Sequence, residues 1–171
     1  TSTAKALFGI YLLLTVACAL SYFAAGMSPF NALCHAFSTV AIGGFSTHDA
    51  SLGHYEENAI LLVSSLFMLF SAINFGLHFV ALQRRTARVY ARDSETAFFI
   101  TVIALATVVT CSLLLTTETL GVEDSLIHGV FQTISIATTT GFTTQDFSIW
   151  PLFLPILLLM LSFMGGCVGS T

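Results

Sequence analysis

The stretch Thr39–Thr47 reads T-V-A-I-G-G-F-S-T; it carries no charge and holds adjacent glycines at 43 and 44. A near copy, I-A-T-T-T-G-F-T-T, runs from Ile136 to Thr144. Each copy closes a short apolar segment, roughly 29–42 or 125–137, too short to cross ~30 Å of hydrocarbon. On either side of each lies a longer stretch free of Asp, Glu, Lys and Arg. The pattern reads as a half-helix that enters a membrane, turns at a glycine loop and leaves again.

The longer stretches are 6–25, 59–82, 97–117 and 149–168. Each reaches the length of about 20 residues that a spanning helix needs. Composition agrees: 56% of the 171 residues are hydrophobic and 8% are charged, against about 25% charged in soluble domains. Such a chain cannot cover itself with a soluble surface, so lipid is its main solvent. Ser28 followed by Pro29 reads as the N-cap and first position of one short helix. Glu123 and Asp124 place acids at the positive end of the other.

The basic residues are Lys5, Arg84, Arg85, Arg88 and Arg92. Four arginines in the short loop 84–95 place it on the cytoplasmic side, so the acid-bearing loops and both glycine loops face outside. With no other basic cluster, nucleic acid is not an expected partner. Cys18, Cys34, Cys111 and Cys167 lie in apolar stretches without C-x-x-C spacing, and read as buried free thiols. The chain starts without Met and stops inside an apolar element, which reads as an internal piece of a longer protein.

Aligning Gly44-Phe45 with Gly141-Phe142 sets an offset of 97 residues. Ser38 then meets Ser135, Thr47 meets Thr144, Asp49 meets Asp146, His35 meets Gln132 and His48 meets Gln145. The expected organisation is a first repeat over 1–83, an arginine-rich cytoplasmic linker over 84–95 and a second repeat over 96–171, truncated in its last helix. An even number of crossings separates the repeats, so they are parallel and related by rotation about the membrane normal.

A cation crossing lipid must exchange its hydration shell for other oxygens, and backbone carbonyls do this without fixed charge. Aligning successive carbonyls demands unusual φ/ψ values, which glycine adopts without steric cost. Gly43, Gly44 and Gly141 are placed to permit this. The negative end of each half-helix faces the same point. The expected donors are Ile42, Gly43 and Gly44 with Thr139, Thr140 and Gly141; Ala41 and Thr138 form the inner end of the row. Asp49 and Asp146 lie just outside, where acids concentrate cations. Asp49 as the cap of a short turn is an equal reading.

The chain is similar to the TrkH-type membrane subunits of bacterial potassium uptake systems, in the Trk/Ktr/HKT superfamily. The resemblance rests on A-I-G-G-F-S-T-H-D-A-S-L-G (41–53), N-F-G-L-H-F (74–79), A-T-T-T-G-F-T-T (137–144), W-P-L-F-L-P (150–155) and G-G-C-V-G-S-T (165–171). It implies an all-α polytopic membrane protein built from span, pore helix, filter loop and span, repeated around a pseudo-four-fold cation pore. This chain resembles the second such unit and most of the third. Also implied are transported K+ with no cofactor, a homodimer, a cytoplasmic nucleotide-binding regulatory subunit, and the bacterial inner membrane as location. The family's filter glycines fall on Gly44 and Gly141, and its gating segment on Gly165, Gly166 and Gly169. Each loop has Gly-Phe followed by Ser46 or Thr143, where tetrameric channels carry G-Y-G or G-F-G. A shorter filter, looser toward sodium, is expected.

Other readings stand beside these. The competing reading takes the glycines of either loop, or of 165–169, as seams for close helix packing. Asn74 and His78, four apart in one span, are either functional or bonded between helices. His35 and Gln132 brace the filter or bond to nearby backbone. The arginines set topology, and contact with lipid head groups or a regulatory partner is a further reading. A membrane-embedded enzyme holding a metal at His48, His54 and Asp49 lacks a recognisable ligand spacing. A non-conducting structural subunit is the remaining class.

Overall fold

A 23-residue helix rises about 34 Å, enough to cross a bilayer, and two helices reach that length: α1 (Ser2–Ala24) and α6 (Ser94–Thr116). The computed structural model describes residues 2–171, and among them every regular element is helical. The short helices are α2 (Pro29–Val40) and α7 (Val122–Ala137). The rest are α3 (Asn58–Ala72), α4 (Phe75–Arg84), α5 (Arg88–Arg92) and α8 (Phe153–Ser162). The chain is therefore an all-helical polytopic membrane protein.

Each half-helix packs on the spanning helix before it, α2 on α1 and α7 on α6. Helix α3 ties the halves together by lying against α1, α2 and α7, while α8 lies against α7. Tyr22, Met68, Leu114, Phe131 and Leu158 are fully enclosed at the centre. Phe8, Leu20, Phe98, Leu105 and Val108 point outward, as apolar side chains do where the solvent is lipid. All four cysteines are free, and Cys18, Cys111 and Cys167 are buried. Ser28 caps α2, its side chain accepting from the Asn31 N–H, with Pro29 at the first position as expected.

Two of the four expected spans are not continuous helices. The stretch 59–82 divides into α3 and α4, bent by 96°. Ile73 and Asn74 are extended, with ψ of 148° and 122°, and the Asn74 side chain caps α4 by accepting from the Gly76 N–H at 2.7 Å. The stretch 149–168 is helical only over Phe153–Ser162, after which Gly165 and Gly169 take φ of +64° and +83°.

The two interruptions complete each other. A broken helix leaves carbonyls without partners, and in lipid each needs one. Ala72 O accepts from the Cys167 N–H at 2.8 Å, and Ser71 O accepts from both the Thr171 N–H and its hydroxyl. Phe70 O accepts from His78 Nε2 at 2.8 Å. In return the Phe75 N–H donates to Gly169 O at 3.0 Å. With Nε2–H donating, the His78 Nδ1 lone pair accepts from the Tyr90 hydroxyl, 2.9 Å away. Asn74 and His78 thus hold the bend; they do not share the face of one continuous span. The arginine-rich linker is partly helical, with α5 inside it.

Candidate ion-selectivity site

Helices α2 and α7 end alike. Their C-caps, Ala41 (φ −83°, ψ 2°) and Thr138 (φ −80°, ψ −4°), stand 97 residues apart. The next residues, Ile42 and Thr139, have φ of +52° and +61°. Two positions further, Gly44 and Gly141 have φ of +67° and +84°. In both loops, then, left-handed residues alternate with residues of ordinary φ. This alternation rotates successive peptide planes and frees their carbonyls from the two-sided alternation of a strand. A left-handed backbone at a β-branched residue costs about 1–2 kcal/mol, and here it occurs at the same place in both loops. Strain of this kind concentrates at functional sites.

This corrects one detail of the sequence reading. Gly43 is not left-handed; the unusual conformation falls on Ile42 and Thr139 instead. A Cβ on Gly43 would meet only ordinary contacts, 3.4 Å to the Phe45 ring and 3.6 Å to Ser38 O. The offset carried the clue, since it sets Gly43 against Thr140, a residue that adopts positive φ only at a cost.

The loops meet. A Cβ on Gly44 would collide with the Thr140 carbonyl oxygen. The Gly53 N–H donates to Thr143 O at 3.1 Å, and the Thr143 N–H donates to Ser51 Oγ at 3.2 Å. Phe142 is fully buried against the His35 ring, 6.1 Å between centroids, whereas Phe45 is 82% exposed. Ser135 donates its hydroxyl to Phe142 O at 2.7 Å.

His35 stands behind the first loop, fully buried. Its Nδ1–H donates to Asn31 O at 2.8 Å, which leaves Nε2 to accept from the Ser46 hydroxyl at 2.9 Å. Ser46 Oγ also accepts from the His48 N–H at 3.1 Å. Gln132 occupies the matching place, equally buried, without a protein hydrogen-bond partner among the described residues. Replacing His35 with Leu removes both bonds, at a cost of about 0.5–1.5 kcal/mol each. A lower thermal unfolding temperature for His35→Leu, with a smaller drop for His35→Gln, is the expected result.

Asp49 and Asp146 line one cleft of about 400 Å³ together with Thr143, Thr144 and Gln145. It is Asp146 that caps a turn, accepting from the Ser148 N–H at 2.9 Å, and hydrogen bonding to the Ser148 side chain, then to its N–H, holds its carboxyl below the usual carboxylate value. His48 and His54 stack face to face, 3.7 Å between centroids. His48 Nε2 is paired with the Asn31 amide at 3.1 Å. Among the described residues no three metal-ligating side chains converge.

Gly165 lies beneath the second loop, where its Cβ would sit 4.0 Å from the Thr139 methyl. Gly166 packs on the α3 break; a Cβ there would come within 2.9 Å of Ala72 O and 2.5 Å of Ser170 Oγ. Gly169 faces Asn74 at 3.2 Å. The three glycines thus lie between the filter loop and the α3–α4 bend.

Paired half-helices with strained glycine loops, set among spanning helices, define a polytopic membrane protein of the pore-loop kind. The chain belongs to the family described as "TrkH: Cation transport protein", whose model it matches over residues 1–171. It is 52% identical to the Trk system potassium uptake protein TrkH of Halomonas elongata, covering 100% of this chain and 36% of that protein. It is 41% identical to TrkG of Escherichia coli, covering 99% and 35%. The crystal structure of the potassium transporter TrkH from Vibrio parahaemolyticus superimposes with a TM-score of 0.96 at 50% identity, over 99% of this chain and 37% of that one. The chain thus spans about a third of the length of these relatives. Membership of a cation transport family sets aside the enzyme reading.

Proposed function

We propose that this chain forms two of the four repeats of a potassium uptake protein, and that K+ passes between carbonyl oxygens of Ile42, Gly43, Gly44, Thr139, Thr140 and Gly141. The observation that carries this reading is the strained backbone repeated at Ile42 and Gly44 and again at Thr139 and Gly141. Such strain persists only where the surroundings enforce it, and rings of backbone carbonyls are how filters replace a hydration shell. Its support also includes the names of the relatives, which are potassium uptake proteins. Two repeats supply half of a pseudo-four-fold pore, so the remaining repeats of the same polypeptide are required partners. A homodimer and a cytoplasmic nucleotide-binding subunit complete the assembly by resemblance.

The repeats are taken as 1–83 and 96–171, joined by the linker 84–95 on the cytoplasmic face of the bacterial inner membrane, with the filter mouths outside. Gly165, Gly166 and Gly169 form a gate under the filter. The test is potassium flux in liposomes containing the complete transporter. Saturable, K+-dependent flux supports the reading, and a chain that inserts without conducting returns it to a structural subunit. Competition by sodium in the same assay is expected, because each loop offers Gly-Phe followed by Ser46 or Thr143; strict exclusion of sodium removes the short-filter argument.

Asp146 and Asp49 raise the local cation concentration at the mouth. One unit charge about 8 Å away in water is worth about 0.5 kcal/mol, a factor of about 2. Asp146→Asn should therefore raise the KM for K+ about twofold at low salt, with kcat unchanged, and the effect should vanish at high ionic strength. The sign of the pH dependence follows from the Ser148 hydrogen bond. A lowered carboxyl value keeps the charge present above the ordinary value and loses it only as pH falls further. The difference between wild type and Asp146→Asn should stay constant between about pH 5 and pH 8.

A further inference from the structure

Beyond the pore, we infer that the α4–α5 corner is a binding site for one anionic phospholipid, with its phosphate among Arg84, Arg88 and Arg92 and an acyl chain in the groove between α1, α3 and α4.

The corner is shaped by the bend. Helix α4 leaves α3 at 96°, so its ten residues run across the direction of α3. Arg85 ends α4 in a left-handed conformation, φ +47°, and the Thr86 N–H returns to Ala81 O at 3.2 Å. The reversal brings Arg84 to one cavity with Arg88 and Arg92, which lie four apart on α5. That cavity measures about 450 Å³, and the three arginines share it with Thr86 and Asp93.

The nearby acids accept hydrogen bonds from other partners, and Asp93 keeps its charge beside the arginines. Asp93 Oδ2 accepts from the Thr96 N–H at 2.8 Å and from the Thr96 hydroxyl at 2.7 Å. Glu95 accepts from the Val168 N–H at 2.7 Å. Among the described residues none of the four arginines forms an ion pair with a carboxylate within 4.0 Å. Guanidinium groups without carboxylate partners suit a phosphate, which they grip in bidentate fashion.

On the other side of Thr86 lies a second, apolar cavity of about 350 Å³. Its walls include Leu13 of α1, Phe67 and Phe70 of α3, Ala81 and Leu82 of α4, and Arg85. Of the polar residues that line it, His78 and Tyr90 are bonded to each other, and the others are Arg85 and Thr86. An arginine cavity that shares its Thr86 wall with an apolar groove matches a molecule with an anionic head and a hydrocarbon tail. The carboxylate of a soluble partner would use the first half and leave the second unexplained. Basic pockets beside membrane helices on the cytoplasmic side bind anionic head groups in this way.

The test uses the complete transporter in detergent, with lipid retention followed by native mass spectrometry and thermal unfolding as a second readout. Dioctanoyl phosphatidylglycerol should bind and raise the unfolding temperature; dioctanoyl phosphatidylcholine and inorganic phosphate alone should do neither. The triple variant Arg84→Gln, Arg88→Gln, Arg92→Gln should weaken phosphatidylglycerol binding about a hundredfold. Ala81→Trp fills the groove, keeps every arginine and should weaken binding as well. Equal binding of the two lipids overturns the proposal, as does a matching shift with phosphate alone. So does unchanged phosphatidylglycerol binding in both variants. Loss of regulatory-subunit binding with lipid binding intact reassigns the arginines to protein docking. None of these readouts depends on ion flux, so the site stands or falls separately from the pore.

Discussion

Gly44→Ala should abolish potassium uptake by the complete transporter, while Gly43→Ala should leave most of it intact. The glycines are neighbours, and sequence gives them equal standing. Gly44 has φ +67°, and its Cβ would strike the Thr140 carbonyl oxygen. The conformational cost alone is about 1–2 kcal/mol. The collision adds to it, because the obstacle is backbone of the facing loop and cannot rotate away. At about 1.4 kcal/mol per factor of ten, a combined cost above about 3 kcal/mol lowers uptake at least a hundredfold. Gly43 has ordinary φ and room for a methyl group at 3.4 Å or more. The measurement is potassium uptake in cells lacking other uptake routes, normalised to membrane-inserted protein. Equal loss in the two variants, or greater loss for Gly43→Ala, would refute the filter geometry.

Gly166→Ala should raise flux several-fold. Its new methyl would press on Ser170 Oγ and on Ala72 O, the carbonyl that accepts the Cys167 N–H. Relief requires the 163–171 segment to lift away from α3, which draws Gly165 from its place beneath Thr139. Losing one or two of these hydrogen bonds costs about 0.5–1.5 kcal/mol each, enough to shift an open–closed equilibrium by about tenfold. Open probability measured in single-channel recordings of the complete transporter is the direct readout. Unchanged flux and gating would show that the glycines serve only as a packing seam.

Hydropathy located α1, α6 and both half-helices, because those elements depend on length, charge exclusion and caps that are local in the chain. It could not see the α3–α4 bend. Ile73 suits a membrane helix and the lone polar Asn74 does not by itself end one, while their break is sustained by Cys167, Gly169 and Thr171, nearly a hundred residues away. The shortening of α8 was half visible: Gly165, Gly166 and Gly169 marked an interruption, while its start at Ser162 was not marked. Within the loops, Gly44 and Gly141 were legible since only glycine takes positive φ freely. Ile42 and Thr139 were not, since β-branched residues argue against the conformation they adopt. Asp49 and Asp146 were matched by the offset, but only the fold places them on one cleft.

The exchange of hydrogen bonds between the α3 break and the 163–171 segment bears on how such a protein can evolve. Two copies of an ancestral unit begin as interchangeable parts. Here carbonyls left vacant at the bend of one unit accept from the 163–171 segment of the other, and Gly169 lends a carbonyl back. A substitution at Ala72, Cys167 or Gly169 is therefore felt in both units.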